Sequence, residues 1–377
     1  MDKPFDFNQI ADIDGFCGRK DELKKLSSNF ILLTNTAVIA PQGWGKSSLL
    51  HKAAEVASRK DNDLRFCHVK LSNVRSEERF YELLVQGVLR AVSKSQEDII
   101  SNVKKYFRYT HPRVSFGGTS ALNFNIDMDW EEIRRHKDRI LDLPYTVSRD
   151  MNIKLVICID DFQNVSLFSD PESFMDLMKD RWTGFDKVAF CMSGTSTPLT
   201  DRFFKTSKIF SRYGEVMNLT EVDATELVLM IRDRFADSGK YIDKDNAGMI
   251  ISLSEGNLFY AMQLAHLSWL GTGVVCSSDV VLQARETVID QMRLVFENIT
   301  ASLTTQQLCY LHAVLAGETV ISTAEVLHRH HISSATSASR SKAALLERGV
   351  VCSIGGKICL ADPMYAFWLK NRYFVEK

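Results

Sequence analysis

Residues Ala40-Pro41-Gln42-Gly43-Trp44-Gly45-Lys46-Ser47-Ser48 decide how this chain is read. The apolar run Ala37-Val38-Ile39-Ala40 leads into them and Leu49-Leu50 follows, so the stretch reads as strand, glycine-rich loop, helix. A G-x-x-x-x-G-K-[ST] pattern in that setting is a phosphate-binding loop. Ala40 stands at the first glycine position, and everything after it fits. Successive N–H groups of such a loop converge on phosphate oxygens, and the helix behind them presents the positive end of its dipole. Gly43 and Gly45 let the backbone come close to the ligand. Lys46 is expected at the terminal phosphates and Ser47 on Mg2+, with Gln42, Trp44 and Ser48 completing the contact stretch. Trp44 stacks on a partner, shields the phosphates or packs over the loop. A plain glycine-rich turn would explain the glycines, but not Lys-Ser at the dipole end.

A second apolar run, Lys154 to Asp161 (KLVICIDD), ends in two carboxylates. This is the form of a strand whose first acid, Asp160, holds Mg2+ and whose second, Asp161, polarises an attacking water. Taken alone, the pair also fits a solvated strand end with an Asx turn. Arg65 to Leu71, Lys187 to Ser193 and Gly214 to Leu219 read as further strands. Helical spacing occupies about Ser76 to Ser93 and Asp129 to Arg149, and Thr110 to Asn125 reads as loop with a short hairpin around Gly117-Gly118. Strands alternating with helices predict an α/β domain with a parallel sheet covered on both faces.

From Asp223 the pattern turns all-helical, opening on the capping box Asp223-x-x-Glu226 and breaking at Ser254 to Asn257 and at Gly271 to Gly273. From Leu303 it reads helix, helix, helix, hairpin: Thr305 to Leu315, Ser322 to His330, Ser334 to Arg348, then Val350 to Leu360 folded at Gly355-Gly356. The expected domains are 1–220, an α/β phosphate-binding domain, 221–299, a helical lid, and 300–377, a winged helix.

Hydrophobic residues make up 45% and charged residues 25% of the 377, the balance of a protein with a real core. Lys+Arg 46 against Asp+Glu 47 gives a net charge of −1, so nucleic acid would have to meet a local patch. From Thr304 onward eight Lys/Arg face five Asp/Glu, a local +3. The third helix of that segment, SSATSASRSKAALLER, is the expected groove reader, with Arg340 and Lys342 on it and Lys357 at the wing tip. Docking of a protein partner by the same segment carries nearly equal weight. His328-Arg329-His330-His331 lacks metal-ligand spacing and reads as a solvated helix end. The eight cysteines form no CxxC pair and read as reduced core thiols of a cytoplasmic protein, with disulfides or zinc as the minor reading. The first residues, MDKPFDFNQIADIDGF, have no apolar core, unlike a signal peptide. No stretch reaches the ~20 apolar residues of a membrane span.

Together these residues resemble the archaeal-type ATPase family within the STAND and AAA+ P-loop NTPases, over nearly the whole chain. Phe16-x-Gly18-Arg19-x-x-Glu22-Leu23 is similar to the family's F-x-G-R-x-x-E-L box, which lies against the adenine in relatives. Asp160-Asp161-Phe162-Gln163 is similar to its D-[DE]-F-Q, although many relatives have the longer Glu second. Ser193-Gly194-Thr195 falls where the sensor strand ends, which implies Ser193 as γ-phosphate sensor. Ser211-Arg212-Tyr213 resembles the family's G-R dipeptide, which implies that Arg212 reports on or completes a phosphate site. Gly256-Asn257-Leu258 matches the family's G-N-P at two of three positions, and Asp362-Pro363-x-x-x-x-Trp368 closes the winged-helix match. The resemblance implies an ATP- and Mg2+-dependent switch ATPase whose winged helix takes duplex DNA or a protein partner. It also implies homo-oligomer formation in the ATP state.

Overall fold

The computed structural model describes residues 4–5, 17–107, 112–117, 122–195, 200–201, 203–204, 214–354 and 356–375. The chain divides into two compact units. One holds residues 19–40 and 46–219, and the other the described residues among 1–18, 41–45 and 220–377.

The first unit opens with α1 (Lys20–Ile31), β1 (Asn35–Ile39), α2 (Lys46–Lys60), β2 (Leu64–Lys70) and α3 (Glu77–Val92). Then follow α4 (Gln96–Tyr106), the strands β3 (Arg113–Phe116) and β4 (Phe124–Asp127), α5 (Trp130–Leu141) and α6 (Leu143–Met151). β5 (Lys154–Asp160), α7 (Pro171–Arg181), β6 (Val188–Gly194) and β7 (Gly214–Asn218) complete it. The sheet order is β2-β5-β6-β1-β7, and every pairing is parallel. Parallel pairs need crossovers, which the helices supply.

Alternation sorts the central strands' side chains onto two faces. Leu155, Ile157 and Ile159 of β5 and Val188, Phe190 and Met192 of β6 enter one large core with Phe80, Leu84, Ile133 and Trp182. Trp182 lies flat on Phe190 with ring centroids 4.0 Å apart. Val156, Cys158, Ala189 and Cys191, also buried, take the opposite face. With both faces covered, the five residues at the centre of β5 read as an unbroken buried run.

Several elements depart from the sequence expectation. α4 was not anticipated; Ser95 caps it by accepting from Asp98 N–H, with acids in its first turn and Lys104 and Lys105 in its last. The single helix expected over 129–149 is two, joined at Asp142. Pro144 explains the break, since it has no N–H to donate and its ring clashes with the carbonyl four residues back. The short hairpin expected near Gly117, by contrast, is met by β3 and β4, which pair antiparallel with Phe116 opposite Phe124; Gly118 lies outside the described residues. β5 ends at Asp160, one residue short of the expected strand.

The second unit carries α8 (Ala224–Asp237), β8 (Tyr241–Ile242), α9 (Lys244–Ser254), α10 (Leu258–Gly271), β9 (Val275–Cys276) and α11 (Ser278–Ala301). α12 (Thr305–Leu315), α13 (Ala324–Arg329), α14 (Ala335–Glu347), β10 (Val351–Ile354), β11 (Lys357–Leu360) and α15 (Pro363–Trp368) follow. Asp223 caps α8 by accepting from Thr225 and Glu226 N–H. The segment is not wholly helical, because β8 and β9 form a short parallel pair. One apolar core runs through the unit, from Ile231 and Phe235 through Leu264 and Phe296 to Leu311, Leu345 and Trp368. The wing expected over 350–360 is the antiparallel pair β10–β11; Gly355 lies outside the described residues.

The expected solvated histidine end is corrected at His330. That side chain is only 4% exposed, with Nδ1 3.2 Å from His312 Nδ1 and Nε2 3.4 Å from Glu318. Among the described residues no group of three or more His, Cys, Asp or Glu side chains is arranged for a metal ion. No described helix is long and apolar enough to cross a membrane.

Candidate functional site

Within the first unit, the carboxyl ends of β5 and β6 and the start of α2 bring polar side chains together. Asp160 is the last residue of β5. One of its carboxylate oxygens accepts from the Ser47 hydroxyl and the other from the Ser193 hydroxyl. Ser193 is fully buried near the end of β6. Lys46, the first residue of α2, is 7% exposed and donates from Nζ to the Ala40 carbonyl at 2.9 Å. Burial pushes its ammonium down to about 8, against the pull of Asp160 and Asp161, with Arg19 adding to the lowering. Ala40 is not among the residues with positive φ, so its Cβ is accommodated where the motif has glycine.

Asp161 separates from Asp160 by a left-handed turn, φ 59 and ψ 40, rather than by the pleat of a strand. Its carboxylate accepts from the Ser72 hydroxyl and, at 3.4 Å, from the Gln163 amide. Gln163 Oε1 in turn accepts from Thr195 N–H at 3.1 Å. The two acids thus sit side by side with separate partners. A non-glycine residue in this region stores strain, and such strain gathers at functional sites. Arg19 is a second case, with φ 56; it is buried and paired with Glu22 at 3.2 Å. Burial lowers its pKa, while Glu22 opposes the shift.

Within the second unit, residues 41–45 are braced by the start of α10. Gly43 and Gly45 have φ of 80 and 79, a conformation that favours glycine. Leu258 N–H donates to the Gly43 carbonyl at 2.9 Å, and the Asn257 amide donates to the Gln42 carbonyl at 3.3 Å. Asn257 also caps α10, accepting from Tyr260 N–H. A Cβ on Gly43 would run into the Asn257 carboxamide. Sequence reasoning missed this role of Asn257. It also explains Leu258 in place of proline, because the N–H that proline lacks is the one given to Gly43. Trp44 is buried, 5% exposed. Gly18 is left-handed at φ 69, and a Cβ there would meet Val222 at 2.5 Å. Phe16 and Arg212 lie outside the described residues.

The donor set fits Mg2+ and a nucleotide phosphate. A serine hydroxyl and a carboxylate are hard oxygen ligands, of which Mg2+ takes few from protein.

On the winged-helix segment, Arg340 and Lys342 of α14 and Lys357 of β11 have exposed side chains. None of the three has an ion-pair partner among the described residues. Arg329, by contrast, is held by Glu318 and Glu325, and Arg372 by Glu286.

A family model described as a probable winged helix domain matches residues 294–371. No protein of curated function matches the chain. Among solved structures, the Walker-type ATPase PABY2304 of Pyrococcus abyssi is similar over 97% of this chain and 99% of its own, at 13% identity and TM-score 0.60. The ORC2 protein of Aeropyrum pernix in its ADP form is similar over 97% of this chain and 95% of its own, at 14% identity and TM-score 0.55. The ORC1 protein of the same organism, in complex with DNA, is similar over 96% and 94%, at 13% identity and TM-score 0.51. The parallel sheet covered by helices is the P-loop NTPase fold, and it is followed by a C-terminal winged helix domain.

Proposed function

We propose that this protein is an ATP-hydrolysing switch of the AAA+/STAND kind whose winged helix binds duplex DNA. The observation that carries the reading is the gathering of Ser47, Ser193 and Asp160 beside a buried Lys46. In this reading Lys46 neutralises terminal phosphate charge, while Ser47 and Asp160 hold Mg2+, which would polarise the phosphoryl oxygens. Asp161 orients and deprotonates the attacking water, Ser193 senses the γ-phosphate, and Gln42 to Ser48 line the phosphates. Phe16, Gly18 and Arg19 form the adenine side, and Arg212 completes the phosphate site. The functional division is 1–220 for ATP, 221–299 for the lid and 300–377 for the partner, with self-assembly in the ATP state.

Val320 and Ile354 are exposed on the winged-helix segment, and in a second reading that segment docks a protein while ATP controls assembly. The deciding experiment measures ATP turnover with and without duplex DNA, together with mass in solution in ATP and in ADP. Stimulation by DNA supports the first reading. A DNA-insensitive rate with ATP-dependent mass supports the second, and absence of turnover in every condition overturns both.

A further inference from the structure

Two pairs of cysteines face each other across neighbouring strands, and they differ in what can reach them. Cys158 and Cys191 are partners in the β5–β6 register, and each is 1% exposed. The hydrogen bond to Cys158 and burial hold the Cys191 thiol far above the usual range. A thiol that is neither ionised nor reachable is inert.

Cys352 and Cys359 are partners in the β10–β11 register, half-buried, with their sulfurs 3.4 Å apart. Directly opposed residues of an antiparallel pair have Cα atoms about 4.5–5.5 Å apart. That lies inside the window of about 4.4–6.8 Å that a disulfide spans. We propose that Cys352 and Cys359 are a dithiol modification site that low-molecular-weight disulfides such as glutathione disulfide oxidise to a bond across the wing.

The chemistry closes on the two thiols and one such disulfide. The Cys359 thiolate attacks one sulfur of glutathione disulfide, forming a mixed disulfide and releasing one glutathione thiolate. Cys352 gives its proton to solvent and attacks Cys359 Sγ, forming the Cys352–Cys359 bond and expelling the second glutathione. The protein loses two protons and two electrons, and the glutathione disulfide gains them as two thiols. The order follows from the shared hydrogen bond, which lowers the pKa of Cys359 and raises that of Cys352. The new bond closes a loop of strand and turn that contains Lys357.

The test uses the full chain exposed to glutathione disulfide at neutral pH, quenched with an alkylating agent and digested with trypsin. Cleavage after Arg348, Lys357 and Lys370 separates Cys352, in 349–357, from Cys359, in 358–370. The expected product is these two peptides joined, split by dithiothreitol, and formed ahead of any link between Cys158 and Cys191. Cys352→Ser should stop at a glutathione adduct on Cys359, and Cys359→Ser should leave Cys352 much slower to react. Both peptides recovered alkylated, or each carrying its own glutathione without a link, would overturn the proposal. A Cys158–Cys191 link forming first would overturn it as well.

Discussion

At the carboxyl end of β5, Asp160 accepts from the Ser47 and Ser193 hydroxyls, and Asp161 accepts from the Ser72 hydroxyl. On α14 and the wing, three cations are exposed, with no ion-pair partner among the described residues. The first region is specified from within, because strand ends and a left-handed turn fix which atom meets which. The second depends on what its partner brings. Substitutions in the first region should therefore separate into distinct chemical losses. Those in the second should add, and should depend on salt.

The largest effect is expected at Asp161. Asp161→Asn keeps the shape and tolerates φ 59, since asparagine is among the residues enriched in that region. It removes the proposed base, so turnover should fall about 10²–10⁴-fold while ATP remains bound. Asp160→Ala should instead weaken Mg2+-dependent nucleotide binding, because it strips both hydroxyls of their acceptor. Single-turnover kinetics beside equilibrium titration reads both. An Asp161→Asn variant with the normal rate would move the water-activating role elsewhere and erase the contrast between the two acids.

Lys46→Ala should lower ATP affinity by roughly a hundredfold, about 2.7 kcal/mol. A pH series sharpens this. With the free lysine titrating at about 8 and phosphate favouring its charged form, affinity should hold below pH 8. Above it, affinity should fall by about tenfold per unit until the bound-state pKa is reached. Stability should move the opposite way. The folded pKa lies below the unfolded one, so the unfolded chain binds more protons from about pH 8 to 10.5, and folding strengthens as pH rises through that window. Affinity that stays flat from pH 7 to 9.5 would put the lysine away from the phosphates.

The same contrast explains what could be read in the sequence. The sheet was legible because buried strands carry apolar runs between punctuating turns, and the loop because Gly-x-Gly-Lys-Ser has few other uses. Asp160 and Ser47 lie 113 residues apart, yet both were legible, since each ends or begins an element whose type is written locally. Asn257 was not. Its bond to Gln42 spans 215 residues and involves a backbone carbonyl, which leaves no trace in side-chain pattern. The burial of His330 against His312 and the meeting of Cys352 with Cys359 depend on register and packing that periodicity does not encode. α4 was missed although Ser95 and its acidic first turn are ordinary start signals.

In the second region, replacing Arg340, Lys342 and Lys357 together by Ala should lower the slope of log affinity against log salt by about 2.7, at ~0.9 per phosphate contact. The fold should survive, since all three side chains are exposed. A wild-type slope in the triple variant would place DNA on another face, and no binding by the wild type at low salt would favour the protein-docking reading.

The last effect is expected in folding stability alone, at Tyr260, where the second unit has an internally specified site of its own. The Tyr260 hydroxyl donates to Asp362 Oδ2 at 2.7 Å, and Asp362 Oδ1 caps α15 through the Met364 and Tyr365 N–H groups. Burial raises the Asp362 carboxyl above its usual range, and these three donors pull it back. Tyr260→Phe keeps the buried ring and removes one donor to a buried carboxylate, which should cost about 1.5–3 kcal/mol near pH 7. The sign of the pH dependence follows. In the variant the folded carboxyl is raised further, so it takes up its proton at a higher pH than in the wild type. Protonation relieves the stranded anion, so the penalty should shrink as pH falls toward 4. Denaturant titrations at pH 7 and near pH 4.5 measure both stabilities. A loss that is constant with pH would mean that the hydroxyl acts through packing, and that Asp362 is held by the helix end alone.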